Sequence, residues 1–581
     1  MGGLAIKRAL LALLALIYGA YMVSLDGLPM RELNALSPYH RQQAVALMHG
    51  HFHLGDSLNA VEPGLAWHAG RVQQVWGLGV AIWLLPFQSL WGFLGLGEFP
   101  DRVALVFAFA ALAVYATTIG FRLIRSGKML FGLGIVWLIL LCPPLWTLAR
   151  ASQLIFEQTT LYALMVSLGI LISLVHVACF ESKAGFAVCC FLSAIAAWVR
   201  PTHGVYGLFA VAVSSALMFQ RISKSVVMFG LAGWLASMFI LGWTNKARFG
   251  APLEFGHRLT ISTQSMMYFT RFGNPFQNAG VTDAVKELCG LLFLARDVQN
   301  VSAFSPNMFP GQSSECRWRK LEFTTFDLSY ALIGLISLIL AISLTRGSKM
   351  GQGVRKNVLF FWSAFSFVGM VAFYLRYPVM ASRYLIDFAP ALVGFAAFTL
   401  LSIPERFAKI GIWILGSWLL WEIGSAKLVP ATSPSPISKF DQHNLTQMHL
   451  GEFHGSYNAE QNPVNSGITW NGLGWEVGSG IASDVIVLVI DQPDFIELHV
   501  SPRRRVNGGL SSSDAYQAML DSKMLSLQRV VPEENGIMVI FQVPERLRAA
   551  IGNQALFLCF SKGYEADDRD SERFLYSVRW K

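Results

Sequence analysis

Residues 67–87 read Trp67-His-Ala-Gly-Arg-Val-Gln-Gln-Val-Trp-Gly-Leu-Gly-Val-Ala-Ile-Trp-Leu-Leu-Pro86-Phe87. A polar, aromatic stretch runs into an apolar one, which Pro86 interrupts. If the apolar part crosses a bilayer, everything after it is oriented one way; if it lies along the surface, the other. That choice decides which loops share a compartment and can form one site.

The chain around it is a membrane protein by composition. Of 581 residues, 54% are hydrophobic and 14% charged, against roughly a quarter charged in soluble domains. Apolar runs near 4–24, 77–97, 103–121, 129–148, 160–179, 184–199, 203–219, 225–243, 326–345, 357–375, 384–402 and 407–424 approach the roughly 20 residues a spanning helix needs. The net charge of +9 sits in short basic clusters between these runs. That is an orientation device, not a nucleic-acid surface. The first run follows Lys7 and Arg8 and lacks a small-residue cleavage site, so it reads as a retained span rather than a signal peptide.

If all twelve runs cross with the N-terminus inside, Arg122-Leu-Ile-Arg-Ser-Gly-Lys128 and the loop 346–356 fall outside. Basic short loops belong inside. Laying 77–97 at the outer interface gives 14 inner basic residues against 4 outer ones: Arg150, Arg200, Arg376 and Arg383. Gly77, Gly79 and Pro86 weaken a helix, and Trp76, Trp83 and Trp91 suit the headgroup level. The expected fold is therefore a polytopic α-helical membrane protein of about eleven spans, N-terminus cytoplasmic and C-terminus extracytoplasmic. Three large pieces face outward: 25–102, 244–325 and the tail from about 425.

The tail changes character. Residues 426–437, with Pro430-Ala-Thr-Ser-Pro-Ser-Pro-Ile437, form a linker. Between 438 and 581, short apolar runs at 484–490, 495–500, 524–531, 537–543, 555–560 and 574–580 predict an extracytoplasmic antiparallel β-sandwich. It is read as a cap on the outer loops or a carbohydrate-binding module.

The outer arginines stand against the orientation rule. A charge at the membrane edge has a partner or a ligand, and guanidinium groups suit phosphates. Arg200, Arg383 and Arg150 are candidates for the phosphate of a lipid carrier; the alternatives are snorkelling and an Arg383–Asp387 pair four residues apart. A transfer at a sugar carbon needs a carboxylate base. Asp26 and Glu32 follow the first span closely, and Glu157 lies in the second outer loop. His40, His49, His51, His53 and His68 share the first loop. Their spacing raises a metal site, but no Cys or tight acid set accompanies them, so no cofactor is assigned and a divalent metal is left open. Cys289 and Cys316 share one outer loop and are expected to form a disulfide. No nucleotide-phosphate, Ser/His/Asp or zinc motif is present.

Several stretches resemble bacterial GT-C membrane glycosyltransferases, relatives of the protein mannosyltransferases and the lipid A aminoarabinose transferase. They are the amphipathic Tyr39–Gly50, Leu65-Ala-Trp-His-Ala-Gly-Arg-Val-Gln-Gln74, Trp-Val-Arg200-Pro-Thr, Asn245-Lys-Ala-Arg-Phe-Gly-Ala-Pro-Leu-Glu-Phe-Gly256 and Ser382-Arg-Tyr-Leu-Ile-Asp387-Phe-Ala-Pro390. The resemblance covers roughly residues 1–425. It implies inverting transfer from a polyprenyl-phosphate-linked sugar to a glycan, lipid or protein acceptor at the outer face of a bacterial inner membrane. It also implies first-loop helices along the bilayer surface, a first-loop acid as base and Glu157 where relatives often place another acid; Arg200, Arg383, Arg150 and Asp387 remain substrate-binding candidates on the charge argument. Many relatives carry adjacent Asp and Glu after the first span. Here Asp26-Gly-Leu-Pro-Met-Arg-Glu32 separates them, leaving Asp26 first and Glu32 second. The competing readings are a transporter or flippase for a lipid-linked glycan, which would show midplane charges or repeated halves, and a catalytically inactive relative.

Overall fold

In the computed structural model, the residues described are 2–28, 31–55, 65–68, 71–151, 155–221, 224–256, 281–294, 321–322, 350–376 and 382–402, short helical pieces between 413 and 421, and segments of strand and turn between 427 and 580. The expected span 326–345 lies outside the described residues, as does most of 407–424. The described chain is mostly helical. Eight helices are long and apolar enough to cross a membrane, beginning with Ile6–Ser24 and ending with Tyr384–Ser402. This is a multi-pass membrane protein.

The helices are α1 (Gly2–Ser24), α2 (Tyr39–Met48), α3 (Gly79–Phe93), α4 (Asp101–Arg125), α5 (Met129–Leu140), α6 (Pro143–Ala151), α7 (Ile155–Phe180), α8 (Lys183–Val199), α9 (Gly204–Arg221), α10 (Lys224–Phe249), α11 (Val281–Leu294), α12 (Met350–Arg376) and α13 (Ala389–Ser402). Between α2 and α3 lies a hairpin of β1 (Leu65–His68) and β2 (Arg71–Gln74). Helix α7 is the central post: almost every residue from Gln158 to Ala178 is buried. Helix α10 is the opposite case, with Met228, Phe229, Leu235, Phe239, Ile240 and Trp243 exposed, as a lipid-facing helix must be.

The path of the opening stretch is fixed by an ion pair. Arg102, at the start of α4, holds Asp26, just past the end of α1, at 2.7 Å. Residues 27–100 therefore leave and re-enter the bundle at one end. Helix α3 has 15 residues, about 22 Å, short of the roughly 30 Å hydrocarbon core. It packs on α2 through Ala44, Ala81 and Leu84 and lies within the first loop. The same end collects the C-termini of α8 and α10 and the N-termini of α7 and α9, while the tight turns bearing Arg125, Lys128, Lys183 and Lys224 lie at the other.

In the C-terminal region all six expected strands are present within two five-stranded antiparallel sheets, joined by four further strands. Strand Phe495–Pro502 alternates buried Ile496 and Leu498 with Glu497 and His499, the period-2 pattern of a sheet covered on one face.

Candidate functional site

The first loop is folded onto the bundle end by polar contacts that the apolar pattern does not encode. Asp101, in the first turn of α4, accepts from the backbone N–H of Ala35 at 2.8 Å, from Arg41 at 3.0 Å and from Gln158 at 3.1 Å. That joins the chain before α2, α2 itself, α4 and α7. Arg102 does the same for the two candidate bases. Its guanidinium donates to the Asp26 carboxylate and to the backbone carbonyl of Glu32. The Asp26 carboxylate and the Glu32 backbone are thus held by one residue, while the Glu32 carboxylate lies 4.0 Å from Arg31 Nε. Asp26 is buried and its Oδ1 also accepts from the Leu28 N–H at 2.9 Å. The Glu32 side chain is 56% exposed.

The phosphate-binding expectation for Arg200 meets a different arrangement. Its guanidinium bonds Asp387 Oδ2 at 2.9 Å and Thr160 Oγ1 at 2.6 Å, and lies 4.9 Å over the Phe156 ring. Asp387 also engages the Tyr374 hydroxyl at 2.5 Å and His203 Nε2 at 3.3 Å, and is fully buried. This cluster ties α7, α9, α12 and the entry to α13 together. Residues 382–388 form a 3-10 helix and Asp387 pairs with Arg200; the expected Arg383–Asp387 pair falls on a side chain outside the described residues. Nothing is described of the Arg383 side chain. Arg150 ends α6 and is partly exposed, and Glu157 is buried in the first turn of α7. Cys289 is exposed on α11; Cys316, and with it the expected disulfide, lies outside the described residues.

The histidines divide. His40 is buried, its Nε2 3.0 Å from Thr159 Oγ1 and its Nδ1 3.0 Å from Gln74 Nε2. Burial pushes its pKa down from 6.5 to about 3. His49 bonds the carbonyl of Val45. His51, His53 and His68 line a cleft of about 340 Å³ together with Arg71, Gln73 and Arg248. Among the described residues, no group of three or more His, Cys, Asp or Glu is arranged to hold a metal.

The hairpin builds this cleft by strand alternation. His68 is paired with Arg71 and Ala66 with Gln73, so His68, Arg71 and Gln73 share one face and line the cleft. Gln74 points the other way, to His40. Arg248, from the last turn of α10, closes the floor. It is 2% exposed, donates to the backbone carbonyl of Gln74 and lies 4.5 Å over Phe249. Among the described residues no carboxylate pairs with it. Arg71 and Arg248 stood inside the quoted motifs, but counting arginines only in short loops passed over both. The available signal was an arginine at the last turn of a span beside a long loop. Compared with known proteins, the chain matches no family model and no curated protein.

Proposed function

We propose that the chain is an inverting membrane glycosyltransferase that moves a sugar from a polyprenyl-phosphate carrier to a glycan, lipid or protein acceptor. The chemistry lies at the first-loop end of the bundle. That end is assigned to the extracytoplasmic side of a bacterial inner membrane, because the basic turns collect at the other end. The observation that carries the reading is Arg102, which ties the Asp26 carboxylate and the Glu32 backbone to the start of α4 and leaves the Glu32 carboxylate exposed at that end. A phosphate-linked sugar presented at the bilayer surface meets a carboxylate there.

In this scheme the acceptor oxygen attacks the anomeric carbon and its proton passes to the carboxylate. The bond from that carbon to the phosphate oxygen breaks, and polyprenyl phosphate leaves. Glu32, the exposed acid, takes the proton. Asp26, already engaged by Arg102, positions the loop. Arg150, Glu157 and Arg383 lie on segments at the same end and are assigned to the donor. Arg200 and Asp387 hold the helices that carry them. The C-terminal sheets form a β-sandwich beyond the linker.

The test is reconstitution of the full chain in vesicles holding a polyprenyl-phosphate-linked, labelled sugar. Free polyprenyl phosphate is expected to accumulate as label moves to acceptor. Glu32→Gln should lower the rate about 10²- to 10⁴-fold, the usual value of a general base, with the fold intact. Label that crosses the bilayer still attached to its carrier would replace this reading with a transporter. Full activity in Glu32→Gln would move the base to Asp26.

A further inference from the structure

Arg248 is the least explained charge at the first-loop end. A guanidinium taken out of water costs several kcal/mol unless it is paired, and buried charges are ordinarily paired or bound to something. Arg248 is 2% exposed, yet its partners among the described residues are one carbonyl and one aromatic ring. Its Nε has no hydrogen-bond partner among the described residues. It lines the cleft, and so does His68, itself 5% exposed with Nδ1 also unpartnered among the described residues. A buried guanidinium N–H and a buried imidazole nitrogen, both without partners among the described residues, thus border one opening.

The remaining charged and titratable lining is all cationic or able to become so. The segment after α2 supplies His51 and His53, whose rings lie 5.0 Å apart. The hairpin supplies His68 and Arg71, and α10 supplies Arg248. No described carboxylate lines the cleft. One wall continues toward lipid: Phe52, on the rim, packs edge-on at 6.0 Å against Trp243, which is 57% exposed on the lipid-facing side of α10.

We propose that this cleft binds the phosphoryl group of a phosphodiester, with Arg248 and Arg71 on its oxygens, and that binding is coupled to proton uptake by the buried imidazole of His68. Arginine is the side chain suited to paired donation to phosphate. A bound anion favours the charged form of an imidazole beside it. The cleft therefore takes up protons as it fills, and affinity rises as pH falls. The inference stands on the cleft alone and survives if no sugar is transferred.

The test uses the full chain in uncharged detergent with two probes whose single charge is fixed between pH 8 and pH 6. One is dihexanoyl phosphatidylglycerol, an amphiphile; the other is dimethyl phosphate, which is soluble. Binding of the amphiphile should tighten about tenfold per pH unit for each proton taken up. Arg71→Gln, at an exposed position, should weaken it several-fold, and Arg248→Gln should abolish it while Arg248→Lys retains part. His68→Gln should keep binding and flatten its pH dependence. Dimethyl phosphate binding as tightly as the amphiphile supports the site with a soluble ligand; amphiphile binding alone supports it with a lipid headgroup. No binding of either probe at pH 6, or binding indifferent to both Arg71→Gln and Arg248→Gln, would overturn the site. Binding with no pH dependence would overturn the coupling.

Discussion

Arg200 and His40 show how the same residue type takes its role from its surroundings. Read along the chain, Arg200 is an arginine in the wrong compartment, and a phosphate is the natural partner to expect. In space it spends its charge on Asp387, 187 positions away. Removing one member of such a buried pair leaves a bare charge and costs about 3–5 kcal/mol. His40 is buried, and desolvation disfavours its charged ring. The Thr159 hydroxyl donates to the Ile155 carbonyl at 2.6 Å, so His40 Nε2 must donate to Thr159, and Nδ1 accepts from Gln74. Its pKa of about 3 lies below the ordinary 6.5, so between those values the unfolded chain binds the extra proton. The stability His40 contributes is complete above pH 6.5 and is lost as pH falls toward 3, at up to about 1.4 kcal/mol per pH unit for one proton. Unfolding of the solubilised protein followed from pH 7 to pH 4 should show this slope, and His40→Gln should reduce it. An unchanged slope would place the acid sensitivity elsewhere.

At the scale of elements, α3 and the hairpin before it show what glycine and alternation do here. Gly77 and Gly79 look like helix-weakening residues in sequence. In the fold they are where the first loop lies against the end of α8. A Cβ on Gly79 would stand 2.6 Å from the Val199 backbone nitrogen, and one on Gly77 would press into the carbonyl oxygens of Trp198 and Val199. Backbone neighbours cannot step aside as a flexible side chain can. Gly77→Val or Gly79→Leu should therefore undock α3 and cut the yield of monodisperse protein on size exclusion several-fold. Gly55→Ala, with nothing within 4 Å of its added Cβ, should leave the yield unchanged. Equal yields for all three would mean that α3 does not rely on this contact. The hairpin was legible only in part. Trp67-His-Ala-Gly-Arg-Val-Gln-Gln reads as a polar loop because His68, Arg71 and Gln73 fill one face, while the apolar Leu65, Trp67 and Val72 on the other are too few to show a period. Its strands are stabilised by pairing to each other and by Gln74 reaching His40, neither of which is an apolar periodicity.

For the whole molecule, the ends of the helices sort cleanly, and this makes topology testable. A reporter fused after Gly97 and one fused after Gly127 should give opposite sides of the membrane, since α4 lies between them. Reporters on the same side would overturn the path assigned to the first loop. The helical class with membrane-length apolar runs and the six C-terminal strands were readable from sequence, and Gly79–Phe93 is a helix of only 15 residues. Each rests on the solvent preference of local side chains: apolar runs must find lipid or core, basic turns are retained on one side, and alternation marks a half-covered sheet. The polar architecture was not readable in the same way. Asp26 with Arg102 and Arg200 with Asp387 each join residues far apart along the chain. A buried charge is settled by whichever partner the packing delivers, and that partner is set by helix arrangement rather than by spacing along the chain. The sequence by itself determined which segments must leave water. Only the tertiary structure decided which charges are spent on each other and which, at Arg248, face an open cleft.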